Sequence, residues 1–369
     1  MEPLQSVTIL GGGVVGCFLA YRLVHAGVPV TVIERERVGA GASGVSAGNV
    51  QPGDVEVPLA AESLGLYRHF LPILKEETGV DPLDHEVQYF YAALDDHGVA
   101  QTQRFAAALR QDGLRVEWID GHAARDLEPR LAPNVLGGAL HQDCLQMDAA
   151  RFVSALSQAA QRHRGQLRYG EVVGLQRARD RVSAVVLKDG STLACDTLVV
   201  ALGGWTGAAV STWLGASLPV APHSLQKLHV RPVDLAPRCA VHWDGVNIVA
   251  RRDGLVHVGS KHDDTGFAAQ PTPEGRHWLL ERLQTVLPGF KAQVAEALAG
   301  LASSTPAKVP LLGALPGFDN VYVAAPSTNG FLLSAVLAHI LTDLLVHGKH
   351  HPLLSRLSPA QAQARAAGR

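Results

Sequence analysis

VTILGGGVVGCFLAYRLVHAGVPVTVIE, residues 7–34, is the stretch that decides the fold of this chain. Its first four residues form a continuous apolar run, which is typical of a strand buried on both faces of a parallel sheet. Val14–His25 has the apolar spacing of a helix, and Gly27 is a natural residue to end it. A second apolar run, residues 28–33, completes a strand–helix–strand unit that ends at Glu34. The stretch therefore predicts an α/β fold with a parallel, Rossmann-like sheet.

The turn between the first strand and the helix has the glycine spacing G-x-G-x-x-G of dinucleotide-binding proteins. The first glycine permits a tight turn, the second lets the backbone approach a pyrophosphate, and the third lets helix and sheet pack closely. The helix N-terminus supplies N–H groups for the phosphates, and the acid at the end of the second strand accepts ribose hydroxyls and disfavours the 2′-phosphate of NADP. The alternatives are a glycine-rich turn without ligand, and NAD or FAD as the ligand. The predicted contacts of this unit are Gly11, Gly13, Val14, Val15, Gly16 and Glu34.

Composition narrows the class of protein. A chain of 369 residues predicts two domains, and 47% hydrophobic with 18% charged residues excludes global disorder. The net charge of −2 gives no bulk attraction for nucleic acid, and we find no apolar run long enough to predict a transmembrane segment. The start of the chain, Met1 to Gln5, does not resemble a secretory signal, so we expect a cytoplasmic protein. The four cysteines are far apart in sequence, so we expect neither disulfides nor a metal site.

Further elements follow from the apolar pattern along the chain. The Gly/Ala/Ser-rich run at 39–49 suits either a flexible linker or, as we prefer after a nucleotide motif, a loop of backbone donors. The tail from Lys349 onward is expected to be frayed. Predicted helices cover residues 60–75, 99–111, 149–163, 276–287, 291–299 and 331–347; predicted strands cover 88–94, 115–119, a meander at 167–169, 172–177, 182–187 and 192–193, then 198–202, 218–230, 247–250, 255–258 and 321–325.

Seven stretches in order along the chain resemble the D-amino-acid oxidase family of flavoproteins, in particular its glycine-oxidase and sarcosine-oxidase-like branch. They are ILGGGVVG (9–16), VTVIER (30–35), GASGVSAG (41–48), LVVALGGW (198–205), PLLG (310–313), LPGFDNVYVA (315–324) and NGF (329–331). The resemblance implies an FAD-binding domain that is discontinuous in sequence, at residues 1–84, 148–218 and 303–369. It also implies a substrate domain with an antiparallel sheet at residues 85–147 and 219–302.

The same resemblance assigns further contacts to the cofactor. It places Arg35 near adenine, Val173 where such proteins hold adenine by backbone groups, and the N-terminus of the last helix near the flavin, where its dipole stabilises negative charge. Some relatives attach FAD through a cysteine near the C-terminal strand; this chain has none after Cys239, so we expect non-covalent FAD. The residues assigned in this way are Glu34, Arg35, Ser43, Ser46, Ala47, Gly48, Asn49, Val173, Gly204, Trp205, Asn329, Gly330 and Phe331.

The sequence departs from the family at the substrate carboxylate. Ala302 stands where amino-acid-oxidising members have an arginine that grips this group, and Thr328 stands where a second arginine can occur. Either another cation substitutes, or the substrate is not an ordinary amino acid. The candidate cations are Lys227, Arg231, Arg251 and Lys261, and for each the alternative is an exposed surface charge.

His257 is the candidate catalytic residue, because it falls where sarcosine oxidases place a lysine facing the flavin. A histidine there could assist oxygen or tune the protonation of an amine; the alternative is a position on the outer face of the strand. His223, His229 and His262 are weaker candidates. His347, His350 and His351 are expected in an exposed tail, and no metal-binding spacing is present.

Three hypotheses for function remain open. The first is FAD-dependent oxidation of a C–N bond of a small amine or amino acid, with hydride transfer to the flavin, hydrolysis of the imine, and electrons passed to O₂ or a quinone-type acceptor. The second is oxidation of a 2-hydroxy acid or polyol on the same scaffold. The third is a flavin-binding subunit that has lost activity. A homo-oligomer is compatible with each of them.

Overall fold

The computed structural model describes residues 4–53 and 57–367. The first three residues, part of the segment used above to argue against a secretory signal, lie outside this range. The strands, in chain order, are β1 (Val7–Leu10), β2 (Val30–Glu34), β3 (Asn49–Val50), β4 (Leu83–Ala93), β5 (Val116–Asp120), β6 (Gly137–Met147), β7 (Gln166–Tyr169), β8 (Val172–Ala178), β9 (Arg181–Leu187), β10 (Thr192–Ala194), β11 (Thr197–Val200), β12 (Ala221–Pro232), β13 (Ala240–Trp243), β14 (Val246–Ala250), β15 (Val256–Asp263), β16 (Ala292–Ser304), β17 (Leu311–Ala314) and β18 (Val321–Ala325).

The α-helices come from every part of the chain. In chain order they are α1 (Val14–His25), α2 (Ala42–Val45), α3 (Val57–Thr78), α4 (Asp96–Gln111), α5 (Gly121–Leu127), α6 (Ala149–Arg162), α7 (Thr206–Leu214), α8 (Pro273–Val286), α9 (Gly330–His347), α10 (Leu354–Leu357) and α11 (Pro359–Ala367). Two short 3-10 helices lie at Gly203–Trp205 and Pro306–Lys308.

The central sheet has the strand order β17-β18-β11-β1-β2-β7. Its five strands from β18 to β7 are parallel, and only β17 runs antiparallel at one edge. Helix α1 connects β1 to the adjacent β2, so the strand–helix–strand unit predicted from residues 7–34 is confirmed. Parallel strands place their carboxyl ends along one edge of the sheet, where ligands bind in α/β folds.

A second, larger sheet has the order β16-β12-β15-β14-β13-β4-β6-β3, with β5 paired to β6. All of its pairs are antiparallel except β13 with β4. A mixed α/β fold with an antiparallel second sheet is therefore confirmed. The proposed domain division remains a prediction; it follows the two sheets closely, but β3, from the first FAD-domain segment, pairs with β6 of the second sheet.

Three parts of the sequence prediction are wrong. The helix predicted at 291–299 is strand β16, because pairing with the whole length of β12 outweighs the helix propensity of its alanines. The first strand of the predicted meander, β7, instead joins the central sheet beside β2, and β8, β9 and β10 form a separate small sheet. The tail beyond Lys349 is not frayed throughout, because it forms the short helices α10 and α11, and Leu354 and Leu357, the first and last residues of α10, are buried.

An aromatic cluster centred on Phe18 of α1 packs the helices on one face of the central sheet. Its ring lies 5.6–6.1 Å from the rings of Tyr21, Tyr67, Phe70 and Phe152, which come from α1, α3 and α6. Such tilted and edge-on pairs add to the stabilisation from apolar burial. The cluster fixes α1, and with it the turn that starts the helix.

Helix α9 is long and apolar enough to cross a bilayer by length and composition. However, 67% of it is buried against the rest of the protein, and α1 and α3 pack on it. Ser63 and Tyr67 of α3 donate hydrogen bonds to the Leu332 and Phe331 carbonyls in its first turn. These contacts identify α9 as a core helix of the fold.

Asn320 joins the small sheet to the central sheet, and its removal is expected to be costly. Its side-chain oxygen accepts from Val182 N–H at 2.9 Å, and its amide donates to the Val182 and Asp196 carbonyls at 2.7 and 2.6 Å. Asn320→Ala removes all three hydrogen bonds, and the Asp196 carbonyl keeps another donor, Arg181, at 3.1 Å. The substitution is expected to lower the free energy of unfolding by about 2–4 kcal/mol. Chemical denaturation measures the loss; the exposed Asn134→Ala is the control, and equal stability of the two variants would contradict the argument.

Candidate active site

One large cavity of about 850 Å³ lies between the carboxyl edge of the central sheet and the second sheet. Its volume is in the upper part of the range usual for ligand sites. At one end it is lined by the turn after β1 and the ends of β2 and β7. At the other end it is lined by β12, β13, β14, β15 and β16, and between them by the N-termini of α1 and α9.

The turn after β1 exposes backbone groups to the cavity, because its glycines have no side chains to cover them. Helix α1 begins at Val14 after Gly13, which has no side chain to cap it, and its first turn has no acid, so its dipole remains available to an anion. A methyl group on Gly13 would meet only the Ser43 hydroxyl within 4 Å, which leaves open space beside this residue. The Ser43 hydroxyl in turn accepts a hydrogen bond from Val14 N–H at 3.0 Å. The Gly/Ala/Ser-rich loop therefore packs on the glycine turn and lines the cavity with it.

Glu34 is fixed at the end of β2 by two backbone donors. One carboxylate oxygen accepts from Gly12 N–H at 2.8 Å and the other from Glu36 N–H at 2.9 Å. The side chain thereby lines the cavity beside the glycine turn. Nearby, the Arg35 guanidinium lies 5.4 Å from the centre of the Trp205 ring, a cation–π contact that holds both side chains at this end.

The structure brings most of the predicted cofactor residues to one cavity. Gly16, Gly48 and Gly204 do not line it; each is a place where a methyl group would collide with backbone. Val173 also lies away from the cavity, with 47% of its surface exposed, and its neighbour Val172 lines it instead. The predicted residues that do line it are Gly11, Gly13, Val14, Val15, Glu34, Arg35, Ser43, Ser46, Ala47, Asn49, Trp205, Asn329, Gly330 and Phe331.

A buried lysine and histidine lie at the opposite end, on the second sheet. Lys227 of β12 and His257 of β15 both line the cavity and are 4% and 1% exposed. Burial lowers the pKa of Lys227 to about 7, with the charge of Arg251 acting in the same direction. Burial likewise holds the pKa of His257 well below its usual value, helped by Lys227 and His229. The Nδ1 atom of His257 has no hydrogen-bond partner in the part of the chain that the structure describes.

The other predicted cations do not reach the cavity. Arg251 forms an ion pair with Asp253 at 2.7 Å, and Lys261 pairs with Asp263. Neither lines the cavity, and Arg231 is exposed. Of the four candidate cations, only Lys227 therefore lines the cavity, and the alternative of a surface charge is wrong for this residue.

Two of the three weaker histidine candidates line the cavity, and the third does not. His223 and His262 line the cavity as a pair, with ring nitrogens 3.0 Å apart. His229 does not line it and faces Glu296 at 3.2 Å. His351, expected in an exposed tail, is half-buried and pairs with Glu62 at 3.1 Å.

A polar group that the sequence did not predict also lines the cavity. His242 Nδ1 lies 2.9 Å from the Asn247 amide oxygen, and Gln51 accepts a hydrogen bond from Tyr91, whose ring packs on His242. These residues come from four separate elements and carry no motif, so no local signal could have found them. Lys308 also lines the cavity at its exposed side.

The carboxylates and the buried lysine lie at different ends of the cavity. Among the described residues that line it, the carboxylates are Glu34, Glu36 and Glu171, all at the ends of β2 and β7. The second-sheet end has lysine, histidine, asparagine, glutamine and serine instead. Ala302 and Thr328, where arginines were expected, line the cavity without adding charge.

The residues fit a long dinucleotide cofactor. The start of α1, which has no acid in its first turn, suits a pyrophosphate, and the Asn49 amide oxygen and Ser327 hydroxyl are buried at the cavity without a hydrogen-bond partner among the described residues. Residues 6–344 match the DAO family, described as FAD dependent oxidoreductase. The chain belongs to this family of FAD-dependent oxidoreductases. The cofactor of DAO-family enzymes such as this one is therefore FAD.

The relatives cover nearly the whole chain. It is 28% identical to glycine oxidase of Pseudomonas putida over 351 residues, which covers 92% of this chain and 94% of that one. It is 29% identical to glycine oxidase of Geobacillus kaustophilus over 356 residues, 94% of each. The crystal structure of glycine oxidase from Geobacillus kaustophilus superposes with a TM-score of 0.88 at 26% identity, over 97% of this chain and 99% of that chain.

The cysteines bear on how this DAO-family chain holds FAD. All four are buried and free, and none lines the cavity. Burial raises the pKa of Cys17 to about 12, so this thiol is kept protonated and unreactive. These facts support the prediction that FAD is bound non-covalently.

Proposed function

We propose that this enzyme oxidises the C–N bond of a small amino acid, and that Lys227 holds the substrate carboxylate. The observation that carries the proposal is a buried lysine at the end of the cavity where no described lining residue is a carboxylate. A buried charge without a partner is unfavourable, so this end favours a ligand that brings a negative charge. The similarity to glycine oxidases supports a small amino acid as that ligand.

Lys227 can also prepare the amine. A pKa of about 7 means that much of the free enzyme holds a neutral amine at this position near neutral pH. When an amino acid binds, its carboxylate favours the charged form of Lys227, and the substrate ammonium is the nearest available source of the proton. The transfer leaves an ammonium on Lys227 paired with the carboxylate, and a neutral substrate amine, which is the form that can lose a hydride.

The remaining residues orient the substrate. His257 stays neutral and can offer one ring nitrogen to the substrate amine, while the His242–Asn247 pair limits the space beyond it. Bound FAD supplies the acceptor for the hydride that leaves the substrate α-carbon. The uncapped N-terminus of α9, at Asn329 and Gly330, can stabilise negative charge that arises at this part of the cavity. The imine product is then hydrolysed by water.

Anaerobic reduction tests the substrate class directly. The purified yellow enzyme is mixed with glycine, N-methylglycine and other small amino acids, and with the matching 2-hydroxy acids, and the flavin absorbance is followed. We expect bleaching by at least one amino acid and none by simple amines that lack a carboxylate. Bleaching only by such amines would contradict carboxylate recognition. No bleaching by any compound would favour a subunit without activity.

Oxidation of a 2-hydroxy acid is the second candidate, and one observation favours it. The substrate end has no described carboxylate to hold an ammonium group, and Lys227 would serve a hydroxy acid's carboxylate equally well. Bleaching by hydroxy acids but not by amino acids would select this function. We assign O₂ or a quinone-type compound as the electron acceptor; formation of H₂O₂ in air distinguishes the two. A cytoplasmic location and a homo-oligomer remain proposals.

A further inference from the structure

We infer that His25, Glu77 and His163 form a binding site for a divalent metal ion of the zinc type, outside the catalytic cavity. His25 Nε2 lies 2.7 Å from a Glu77 carboxylate oxygen, and His163 Nε2 lies 3.7 Å from the same oxygen. The three candidate ligand atoms all lie within 4.8 Å of one another. Two imidazoles and one carboxylate are a usual donor set for zinc, with water as the fourth ligand.

The orientation of His25 suits a metal ligand. Its Nδ1–H donates to the Tyr21 backbone carbonyl at 2.8 Å, so Nε2 is the atom that faces Glu77. A hydrogen bond from the second ring nitrogen to a carbonyl is the arrangement that fixes the tautomer and direction of metal-binding histidines. At this position Nε2 either carries a proton for Glu77 or offers its lone pair to an ion.

Three helix ends make this place favourable for a cation. His25 ends α1, Glu77 lies in the last turn of α3, and His163 directly follows α6. Each C-terminus presents partly negative carbonyl groups, and a carboxylate in a last turn is itself unfavourable there. A divalent ion would offset both effects at one point.

Two of the nearby basic side chains have partners other than Glu77. Lys75 of α3 pairs with Asp81 at 2.6 Å, and Arg162 of α6 donates to the Thr78 carbonyl at 3.4 Å. The second carboxylate oxygen of Glu77 is buried and accepts no hydrogen bond from residues 4–53 or 57–367. Glu77 thus keeps one acceptor atom unused beside the two imidazoles.

Side-chain movements are needed to admit the ion, because the three ligand atoms are spread over a separation of up to 4.8 Å. Zinc–ligand bonds of about 2.0–2.1 Å place neighbouring tetrahedral ligands roughly 3.3 Å apart. His163 is already close to this separation from Glu77, and His25 is somewhat nearer because a hydrogen bond joins the two. Metal binding would replace the proton of this hydrogen bond, so we expect the site to release a proton when it fills. The ion would then tie together the ends of α1, α3 and α6.

Zinc titration of the FAD-loaded protein tests this inference. The protein is purified without a histidine tag, and ZnCl₂ binding is measured by calorimetry in two buffers that differ in ionisation enthalpy. We expect one tight equivalent, a proton released on binding, and a Tm raised by a few degrees. His163→Ala and Glu77→Gln are each expected to weaken this affinity about tenfold or more. The flavin spectrum of each variant shows whether it remains folded.

His122→Ala is the matched control. His122 and Asp126 form another histidine–carboxylate pair, 3.2 Å apart, on the exposed surface of α5. This variant should bind zinc as the wild type does. If the wild type takes up no equivalent, or if His163→Ala and Glu77→Gln bind zinc as tightly as His122→Ala, the cluster is an ion pair only and the inference is wrong.

Discussion

Lys227→Met is expected to lower kcat/KM for the amino-acid substrate by about 10²–10⁴-fold, because one change removes both the carboxylate partner and the proton acceptor. Methionine has a similar length and fills the space of the lysine stem, so the loss would not come from a cavity. Steady-state kinetics should show a raised KM together with a lower kcat. The remaining activity should depend less on pH near 7, where Lys227 titrates in the wild type.

Lys261→Met is the matched control for this prediction. Lys261 lies on β15, and from sequence it was as good a candidate as Lys227, but the structure pairs it with Asp263 and it does not line the cavity. Its variant should keep kcat/KM within a few-fold of the wild type. Equal losses in the two variants, or full activity of Lys227→Met, would contradict the assignment of the carboxylate site.

The same substitution should change how stability depends on pH. The pKa of Lys227 is about 7 in the folded protein, below the ordinary value of 10.5, so between these values the unfolded chain binds a proton that the folded chain does not. The contribution of Lys227 to the free energy of unfolding therefore rises with pH from about 7 to 10.5. Below pH 7, where the buried side chain is charged, its destabilising effect is fully present. Lys227→Met should remove this slope and raise the substrate-free Tm at pH 6 more than at pH 9. An unchanged slope would show that the lysine is not buried as described.

The central sheet was predictable because its information is local. The apolar runs of β1 and β11 are buried throughout, and those of β2 and β18 are mostly buried. Such runs are visible without knowledge of their neighbours. The second sheet was less predictable. Strand β16 is rich in alanine and depends on its pairing with β12. Strand β6, which pairs with β4 and β5, was missed because polar residues at 141–143 interrupt its apolar pattern.

The candidate site likewise has one end that was predictable from sequence and one end that was not. Its nucleotide end rests on one turn and the acid at the end of β2, which form a contiguous motif, and the structure places both at the cavity. Its substrate end is assembled from five strands. Lys227 and His257 were recognised as candidates but could not be separated from Lys261, because only the sheet register decides which side chain faces inward. The missing arginine at Ala302 was visible in sequence, whereas Lys227, which we propose in its place, was only one of four candidate cations.

Gly16→Ala is expected to abolish tight FAD binding. A methyl group at this position would lie well inside van der Waals contact of the Gly11 carbonyl oxygen, which belongs to the backbone and cannot turn away as a flexible side chain can. Helix α1 would have to move from β1, and the turn that presents Gly13 to the pyrophosphate would open with it. We expect the variant to be isolated largely colourless and to bind added FAD at least about 100-fold more weakly. The flavin-to-protein absorbance ratio and an FAD titration of the apoprotein measure the effect.

Gly65→Ala separates this collision from a general effect of alanine in a helix. Gly65 lies inside α3, and a methyl group there would meet nothing within 4 Å. Its variant should keep a full complement of FAD and gain roughly 0.5–1 kcal/mol of stability, since glycine is a poor helix former. If Gly16→Ala were as yellow as Gly65→Ala, the close approach of α1 to the turn would not be what holds the cofactor. The whole assignment of the nucleotide end would then have to be revised, because Glu34 reaches the same turn through Gly12.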